Sequence, residues 1–410
     1  MTDQPHNPNN TFDVLVVGAG MVGTAIACGL GQAGINVALF DHALPEPLPD
    51  DALPEQRVSA LSRASENILR HLGAWEPMQT MRMTPYRRMA VWEKLPAPFD
   101  HSTINHVLFD AQRINESELG YIVENRVTQL GLLTALNAYP SISLFCPAQI
   151  VRMDVHKPMV ELDDGRRFYG NLLVGADGAH SQVRQAAAIA MEQRDYEQQC
   201  LVATVEIDGG CQDITWQAFT PTGPQAFLPL PDVGGKSYGS VVWYHQPENV
   251  RQLMALDDAS FINELVATFP AELPPIIRLH QRGAFPIARR HASRYFRPNV
   301  VLAGDAAHTI NPLAGQGVNL GFQDAAWLIE ILSAAHQAGE HLGSPAVLAR
   351  YEKARRTDNR IMMYTMDAFY YAFSNDNKPL QLLRNAGLSV AGKLSPAINR
   401  VMKYAMGLGR

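Results

Sequence analysis

The sequence predicts an α/β protein in which one ligand lies at the carboxyl ends of several strands. Three separate stretches share a pattern: a short apolar run ends in a turn that contains glycine, and a helical pattern follows. These stretches begin at Phe12, Leu172 and Val300. Because open α/β sheets bind ligands outside the carboxyl ends of their strands, the three turns are expected to meet around a single ligand.

The first stretch predicts a βαβ unit. A strand pattern over residues 12–17 is followed by the motif GAGMVG, a helical pattern up to residue 32, and a second strand that ends at Asp41. The motif's glycines are expected to make the turn, to admit a pyrophosphate and to let helix and strand pack closely, in the order Gly18, Gly20 and Gly23. Asp41 lies about 20 residues beyond the motif, where a carboxylate accepts hydrogen bonds from a ribose. The unit predicts dinucleotide binding without deciding between NAD and FAD.

Arg57 follows a proline-rich loop and has two interpretations. A lone arginine in a loop is usually a solvated charge, but it can also anchor a cofactor phosphate or a substrate. Beyond it, residues 62–72 predict a helix that Gly73 closes, and residues 86–92 predict an edge strand that leaves the first domain.

The chain then leads to the second turn. Residues 116–137 predict a helix-rich region. Strands of a meander are predicted after it, at residues 142–145, 150–155 and 159–162. The buried strand 172–175 delivers Asp177 and Gly178 to a turn, and a helix begins behind that turn.

The third stretch is the one around which the chain is arranged. The apolar run 300–303 reads as a buried strand that ends at Gly304 and Asp305, and a helical pattern covers residues 322–335. The glycines between them let backbone N–H groups approach a ligand closely, and a helix N-terminus favours negative charge. Asp305 suits a sugar hydroxyl better than a phosphate. Turns of this kind also occur for purely structural reasons.

Composition excludes several classes of function. The chain has 410 residues, 47% of them hydrophobic and 18% charged, with a net charge of −6, so nucleic acid is an unexpected partner. Its four cysteines are far apart and form no CxxC pair, which favours structural thiols over disulfides or a metal site. The N-terminal residues show no secretory signal pattern, and the sequence has no apolar run long enough to span a bilayer.

The end of the chain is basic and amphipathic. From Asn377 to Arg410 there is no acidic residue, while six Lys or Arg residues punctuate apolar ones. Such a segment favours docking on an anionic membrane surface, which predicts a cytoplasmic protein associated with the inner face of the membrane. A homo-oligomer interface, an interface within a biosynthetic complex and a plain solvated helix are the alternatives.

The motifs support a family resemblance. GAGMVG with Asp41, GADGAHSQVR at residues 175–184 and GDAAHTINPLAGQGVN at residues 304–319 resemble, in order and spacing, the three fingerprints of FAD-dependent aromatic hydroxylases of the p-hydroxybenzoate hydroxylase type. The resemblance extends from residue 12 to about residue 355. It implies a Rossmann-like FAD-binding domain of the glutathione-reductase type, an antiparallel β-sheet substrate domain and C-terminal helices.

The resemblance also implies cofactor contacts. The adenosine and pyrophosphate are implied to lie at the first turn and Asp41, with Asp305 on the ribityl or pyrophosphate side. Asp177 and Gly178 match a motif that the family uses for both FAD and NAD(P)H. The family usually has Glu at the position of Asp41, and the shorter carboxylate is still expected to reach. The implied set is Gly18, Gly20, Gly23, Asp41, Arg57, Asp177, Gly178, Gly304, Asp305, Gly315, Gly317 and Asn319.

The chemistry implied by the resemblance belongs mostly to the cofactors. NADH or NADPH reduces the flavin, O2 forms a C4a-hydroperoxyflavin, and one oxygen atom passes to an electron-rich ring. Pro312 and residues 315–317 are implied to lie beside the isoalloxazine ring. The implied catalytic candidates are His308, Pro312 and Gln316, although a histidine in such a turn is more often a framework residue.

Shorter strings, among them RVSALS at residues 57–62 and VWY at residues 242–244, resemble the ubiquinone-biosynthesis hydroxylases. This implies a prenylated benzoquinol substrate, with Phe227, Trp243 and Tyr244 as candidate contacts. Any one of these aromatic residues can equally belong to the core. A polyprenylphenol or small soluble phenol as substrate, a flavin halogenase or epoxidase, and a flavin-holding scaffold of a biosynthetic complex are the alternatives.

The second domain is expected to be an antiparallel sheet that covers the flavin ring. Its strands are predicted from alternating and aromatic-rich segments at residues 201–207, 215–220, 226–230 and 238–245. The FAD-binding domain is expected to be discontinuous, with parts at residues 1–75, 105–185 and 285–345. The substrate domain is expected at residues 76–104 and 186–284, followed by a C-terminal helical segment at residues 346–410.

Overall fold

The computed structural model describes residues 10–94, 106–311 and 317–373. The strands, numbered β1 to β20 in chain order, are Val14–Val17, Val37–Phe40, Val58–Ser62, Thr84–Tyr86, Arg88–Glu93, Val107–Asp110, Gly120–Glu124, Ile142–Phe145, Ile150–Asp154, Met159–Leu162, Arg167–Tyr169, Leu172–Gly175, Met191–Ile207, Ile214–Phe219, Gln225–Val233, Lys236–His245, Ile276–Ala292, Phe296–Arg297, Val300–Leu302 and His308–Thr309. The α-helices, numbered α1 to α9, are Met21–Gln32, Arg63–His71, Trp75–Met81, Asn125–Leu136, Gln182–Ala186, Pro247–Ala255, Asp258–Thr268, Gly317–Gln337 and Pro345–Phe373. Short 3-10 helices cover Ala111–Ile114 and Gly304–Ala306.

A six-stranded sheet in the order β18-β19-β12-β1-β2-β8 forms the centre of the part of the chain that carries the three turns. Its pairs are parallel except for the short edge strand β18, which runs antiparallel to β19. The four residues of β1 are apolar and buried, as expected for a strand with helices on both faces. Helix α1 is also buried over most of its length, because α4 and α8 both pack against it.

Close packing explains two glycines of the first turn. Gly18 has φ +101, and a Cβ atom there would lie 2.4 Å from the carbonyl oxygen of Ala176. A Cβ on Gly23 would lie 1.8 Å from the carbonyl oxygen of Gly18. Both positions therefore exclude a side chain, and the predicted roles of Gly18 in turning and of Gly23 in packing have a direct steric basis.

An eight-stranded sheet in the order β20-β17-β13-β16-β15-β14-β5-β6 forms the second layer. Its pairs are antiparallel apart from β14 with β5, which run parallel, so the sheet is mixed rather than purely antiparallel. Strand β5 is one position in from the edge that β6 occupies, so its prediction as an edge strand was wrong. One face of the sheet packs against α6 and α7.

Other differences concern elements whose partners are distant in sequence. Residues 120–124 form β7, which pairs with β3, where a helix-rich region was predicted. Strand β8 joins the parallel sheet beside β2, so it is not part of the meander formed by β9 to β11. Helices α6 and α7 were not predicted. For the two strands a tertiary partner selects the structure, and local pattern alone does not report that partner. The two helices do carry local start signals, namely Pro247 in the first turn of α6 and Asp257 as the N-cap of α7.

The last described element is the helix α9, which packs along α8. The basic segment from Asn377 to Arg410, and the candidate site residues Pro312, Gly315 and Gln316, lie outside the described residues. Within residues 10–94, 106–311 and 317–373, no helix combines the length and the apolar character that a membrane crossing needs.

Candidate functional site

Three adjacent parallel strands bring the three predicted turns together. Strand β12 lies between β1 and β19. The backbone N–H of Ala176 donates to the carbonyl oxygen of Val17 at 2.9 Å, and that of Ala303 donates to Gly175 at 3.0 Å. The turns that begin at residues 18, 176 and 304 therefore leave the same edge of the sheet side by side.

Of the three motif glycines in the first turn, Gly20 alone has open space where a side chain would lie. A Cβ atom on Gly20 would have no described atom within 4 Å, in contrast to Gly18 and Gly23. Gly20 is also the N-cap of α1, where unpaired backbone N–H groups and the helix dipole favour an anion. The space and the positive end of the helix fit a pyrophosphate.

Asp41 lies beside this turn at the end of β2. Its Oδ2 accepts a hydrogen bond from the backbone N–H of Ala19 at 2.6 Å, and its Oδ1 accepts one from His42 at 2.7 Å. The side chain of Gln129 donates to the carbonyl oxygen of Ala19 at 2.7 Å from the other side. The carboxylate is thus fixed next to the open turn, in a position that fits the ribose of a dinucleotide.

Asp177 also stabilises a turn. Its Oδ2 accepts hydrogen bonds from the backbone N–H groups of Gln182 at 2.6 Å and Val183 at 3.2 Å, so it holds the start of the short helix α5. Loss of water around the carboxyl raises its pKa. Gly178 has φ +77 and open space where a Cβ would stand. The aspartate orders the turn, and the glycine keeps backbone available to a ligand.

Asp305 lies in a concave environment. Protein groups surround its carboxyl, and the resulting desolvation raises its pKa, against the opposing charges of His308, Arg290 and Arg57. Nevertheless the residue is exposed at the surface of the protein. A carboxylate enclosed by protein yet open to solvent lines a cleft, which fits hydroxyl groups of a bound cofactor.

Arg57 is exposed at this cleft. Its guanidinium lies 5.2 Å from the centre of the Phe285 ring, and its charge partly opposes the rise that desolvation causes in the pKa of Asp305. The backbone carbonyl of Arg57 accepts a hydrogen bond from Asn125 at 3.0 Å. The side chain therefore lies between the eight-stranded sheet and the Asp305 turn, where it can meet an anionic or polar ligand.

His308 is held in a buried polar network. Its Nε2 lies 2.5 Å from Oδ2 of Asp324, which also accepts a hydrogen bond from the backbone N–H of Gly304 at 3.1 Å. The other oxygen of Asp324 accepts from Arg355 at 2.8 Å and from Asn359 at 2.9 Å. His308 and Asp324 are 3% and 0% exposed, so the imidazole contacts protein rather than solvent.

This network was missed at the sequence level. Burial would raise the pKa of Asp324, but the charges of His308 and Arg355 outweigh burial and hold that pKa below its usual range. A signal was present: Asp324 interrupts an apolar helix pattern, and Arg355 and Asn359 are four residues apart on one face of α9. The network fixes the Gly304 turn to two helices.

Asn319 ties the start of α8 to β3. Its Oδ1 accepts hydrogen bonds from the backbone N–H of Ser62 at 3.0 Å and from the hydroxyl of Ser65 at 2.7 Å, and its Nδ2 donates to Ala60 at 2.8 Å. These contacts position the N-terminus of α8 at Gly317, where a Cβ would have no described atom within 4 Å. Asn319 thus places an open helix N-terminus beside the cleft.

The candidate substrate residues separate onto two faces of the eight-stranded sheet. Phe227 and Trp243 are 0% and 2% exposed and pack in the core beneath α6 and α7. The expectation that these two residues contact the substrate is corrected, because the sheet lies between their side chains and the cleft. Tyr244 lies on the opposite face, clustered with Ile310 and Leu320, and burial raises its pKa well above the usual value.

The face that carries Tyr244 is also incompletely covered. Four apolar residues on this face are half-buried, whereas Leu201, Phe227, Val241 and Trp243 on the other face are fully buried. The register places these side chains together: Val202, Leu228, Val242 and Phe285. They form an apolar wall opposite the Asp305 turn, and sequence reasoning missed it because none of the four stands out in the chain.

Comparison with known proteins agrees with this geometry. Residues 11–363 match the family described as FAD binding domain. The chain belongs to this family of FAD-binding proteins. FAD as the cofactor is thereby confirmed. The relatives described next confirm the resemblance to FAD-dependent aromatic hydroxylases, and the solved structures confirm the α/β fold class.

Within the FAD-binding family, relatives match along the whole chain. The chain is 43% identical to 3-demethoxyubiquinol 3-hydroxylase of Escherichia coli (strain K12), with 100% of each chain covered. It is 35% identical to ubiquinone hydroxylase UbiL of Rhodospirillum rubrum, covering 96% of this chain and 89% of the relative. It is 32% identical to the Homo sapiens ubiquinone biosynthesis monooxygenase COQ6, mitochondrial, covering 97% and 93%.

Solved structures share the fold at lower identity. The p-nitrophenol 4-monooxygenase PnpA from Pseudomonas putida DLL-E4 superposes with a TM-score of 0.75 at 20% identity, covering 98% of this chain and 99% of that one. PqsL of P. aeruginosa in complex with 2-aminobenzoylacetate gives 0.75 at 23% identity, covering 92% and 99%.

Proposed function

We propose that this protein is a flavin-dependent monooxygenase that hydroxylates the ring of a prenylated benzoquinol in ubiquinone biosynthesis. The observation that carries the proposal is the full-length match, at 43% identity, to an enzyme named 3-demethoxyubiquinol 3-hydroxylase. The meeting of the three turns at one sheet edge supports it, because that arrangement fits a flavin dinucleotide.

The chain supplies binding and orientation. Bound FAD, reduced by NADH or NADPH and supplied with O2, provides the oxygen-transfer chemistry. Gly20 at the start of α1 would hold the pyrophosphate, and Asp41 would accept hydrogen bonds from the adenosine ribose. Asp305 would accept hydrogen bonds on the ribityl or pyrophosphate side, and the backbone at Gly317 would present a helix N-terminus to developing negative charge.

The apolar wall of the eight-stranded sheet is the proposed site for the quinol ring. Val202, Leu228, Val242 and Phe285 present apolar surface to the cleft, and Tyr244 lies beside them. Such a wall excludes water from the reacting ring, which protects a reactive oxygen donor from wasteful decay. A quinol is already electron-rich, so the site needs no strong base of its own.

We assign His308 a positioning role. Its Nε2 is engaged with Asp324, and the same carboxylate accepts the Gly304 N–H that begins the turn. Loss of the imidazole is therefore expected to weaken FAD binding through displacement of Asp305. A direct proton-transfer role would instead change the pH dependence of turnover in enzyme that is saturated with FAD.

The test is NAD(P)H oxidation by the purified FAD-loaded protein with and without a short-chain quinol, together with mass analysis of the quinol. We expect oxidation to accelerate with the quinol and one hydroxyl group to appear on the ring. Oxidation that the quinol does not stimulate, with no hydroxylated product, would favour a flavin-holding scaffold. In a deletion strain, the precursor that accumulates would identify the step in the pathway.

The proposed substrate has consequences for location. A prenylated quinol resides in the bilayer, so we propose that the protein works at the cytoplasmic face of the membrane. The basic composition of residues 377–410 supports this location, because six positive charges without an acidic residue favour an anionic surface.

A further inference from the structure

The last part of α9 has an unusual outer face. In the first part of this helix the exposed residues include charged ones: Arg350, Lys353, Asp358 and Arg360. From residue 361 onward the exposed residues of the described helix are uncharged: Ile361, Tyr364, Thr365, Ala368, Phe369 and Tyr371. Four of these are large and remain 44 to 52% exposed. Contiguous exposed apolar surface of this kind marks an interaction site rather than an ordinary solvated helix.

The inner face of the same segment fixes it rigidly to the protein. Met363 and Met366 are buried in the cluster that contains Tyr244 and Ile310. Asp367 lies 2.5 Å from the guanidinium of Arg289 and accepts a hydrogen bond from the hydroxyl of Tyr196. Because these inner contacts anchor the helix, its outer residues form a fixed ridge on the surface of the protein.

We propose that this ridge, defined by Ile361, Tyr364, Ala368 and Phe369, docks on the surface of an anionic lipid bilayer. The proposal deepens the proposed function, because it rests on a substrate that resides in the bilayer. Tyrosine and phenylalanine side chains on one helix face suit the depth of the lipid headgroups. The inner side of the same helix turns packs in the cluster of Met363, Met366 and Tyr244, which Val202 and Val242 of the apolar wall contact.

Charge supports a membrane as the occupant. A positive charge lies beside this face: the guanidinium of Arg194, an exposed residue, is 5.1 Å from the centre of the Tyr371 ring. Beyond α9 and the acidic residue Asp376, residues 377–410 contain six basic and no acidic residues in a protein of net charge −6. An apolar ridge followed by a cationic segment matches the two attractions that hold a peripheral protein on anionic lipid, namely apolar burial and electrostatics.

The experiment uses the full-length FAD-loaded protein and sedimentation with vesicles of phosphatidylcholine, with and without phosphatidylglycerol. The test variant is I361S/F369S. The matched control is V266S/I277S, which removes two large exposed apolar side chains, 61 and 57% exposed, from outside the ridge. We expect the wild type and the control to bind the anionic vesicles equally, and the test variant to partition about tenfold more weakly. Hydroxylation of a vesicle-embedded quinol should fall with binding, while turnover of a soluble short-chain quinol should be unchanged.

Equal vesicle binding by the wild type and the ridge variant would overturn the proposal. A shift from dimer to monomer in the ridge variant, with no change in vesicle binding, would also overturn it and would assign the ridge to a second copy of the chain. Absence of turnover with the soluble quinol in the wild type would instead contradict the proposed function, whatever the vesicles show. The two failures are therefore distinguishable.

Discussion

Two single variants, Gly20→Ala and Gly23→Ala, distinguish a glycine needed for cofactor binding from a glycine needed for stability. The two glycines are three residues apart, but their surroundings differ: a Cβ on Gly20 would stand in open space, and one on Gly23 would lie 1.8 Å from a backbone carbonyl oxygen. Gly20 has φ −67, which alanine adopts readily. We therefore expect Gly20→Ala to change the free energy of unfolding of the apoprotein by less than about 1 kcal/mol. Its methyl group would occupy the space in which a pyrophosphate approaches the backbone.

Gly23→Ala cannot be accommodated without movement of α1 away from the turn. Overpacking against fixed backbone is expected to destabilise the apoprotein by on the order of 3 kcal/mol. Urea unfolding of both apoproteins and titration with FAD, followed by flavin fluorescence, measure the two quantities. Gly20→Ala should fold normally and bind FAD at least about tenfold more weakly, a change of roughly 1.4 kcal/mol. Wild-type FAD affinity in Gly20→Ala would refute the placement of the pyrophosphate at this turn.

Four further predictions follow from the site. Asp305→Ala should purify folded but colourless; flavin bound at the wild-type level would defeat the assignment of Asp305. Asp324→Asn leaves buried positive groups without their carboxylate and should lower the free energy of unfolding by about 3 to 5 kcal/mol. Because the folded-state pKa of Asp324 is depressed, the stabilisation by its carboxylate is complete above about pH 4 and is lost as the pH falls further. In urea titrations at decreasing pH, the free energy of unfolding should therefore fall less steeply for the variant than for the wild type. Burial, with the neighbouring charge of His308, lowers the pKa of His291 to about 4, so stability should decline as the pH falls from about 6.5 towards that value, and His291→Asn should reduce the decline. Trp243→Ala should lower the melting temperature with little change in KM for the quinol, whereas Val242→Phe should raise KM in a protein of near-normal stability; the reverse pattern would contradict the division of the sheet into core and cleft faces.

The local units of the fold were predictable because their signals are local. Helix α1 begins at Met21 and ends at Gln32 as predicted, since GAGMVG, an apolar helix and a second strand follow one another directly. Residues 120–124 were assigned to the wrong element because only their pairing with β3, some sixty residues earlier, makes them a strand. The length of β13 was also underestimated, because its polar first half is stabilised by pairing with β17 rather than by burial.

In the candidate site too, local motifs were recognisable from the sequence, whereas contacts between distant segments were not. Motif residues such as Gly20 and Asp305 could be proposed from the sequence because each belongs to a string of fixed spacing between a strand and a helix. The residues that hold the turn, Asp324 and Arg355, come from two helices, and no motif joins them. Trp243 was chosen as a substrate contact because it is a large aromatic residue. The face of the sheet on which a side chain lies depends on strand register, and moving one position along the strand exchanges the core face for the cleft face.

The proposed function requires that one oxygen atom pass from O2 to the ring of the quinol. Its most direct test is incubation of the purified FAD-loaded protein with NAD(P)H, a short-chain quinol and isotopically labelled O2, followed by mass spectrometry of the quinol. We expect a hydroxylated quinol whose new oxygen atom carries the label. A quinol recovered unchanged while NAD(P)H is consumed, or a product that carries unlabelled oxygen from water, would contradict it.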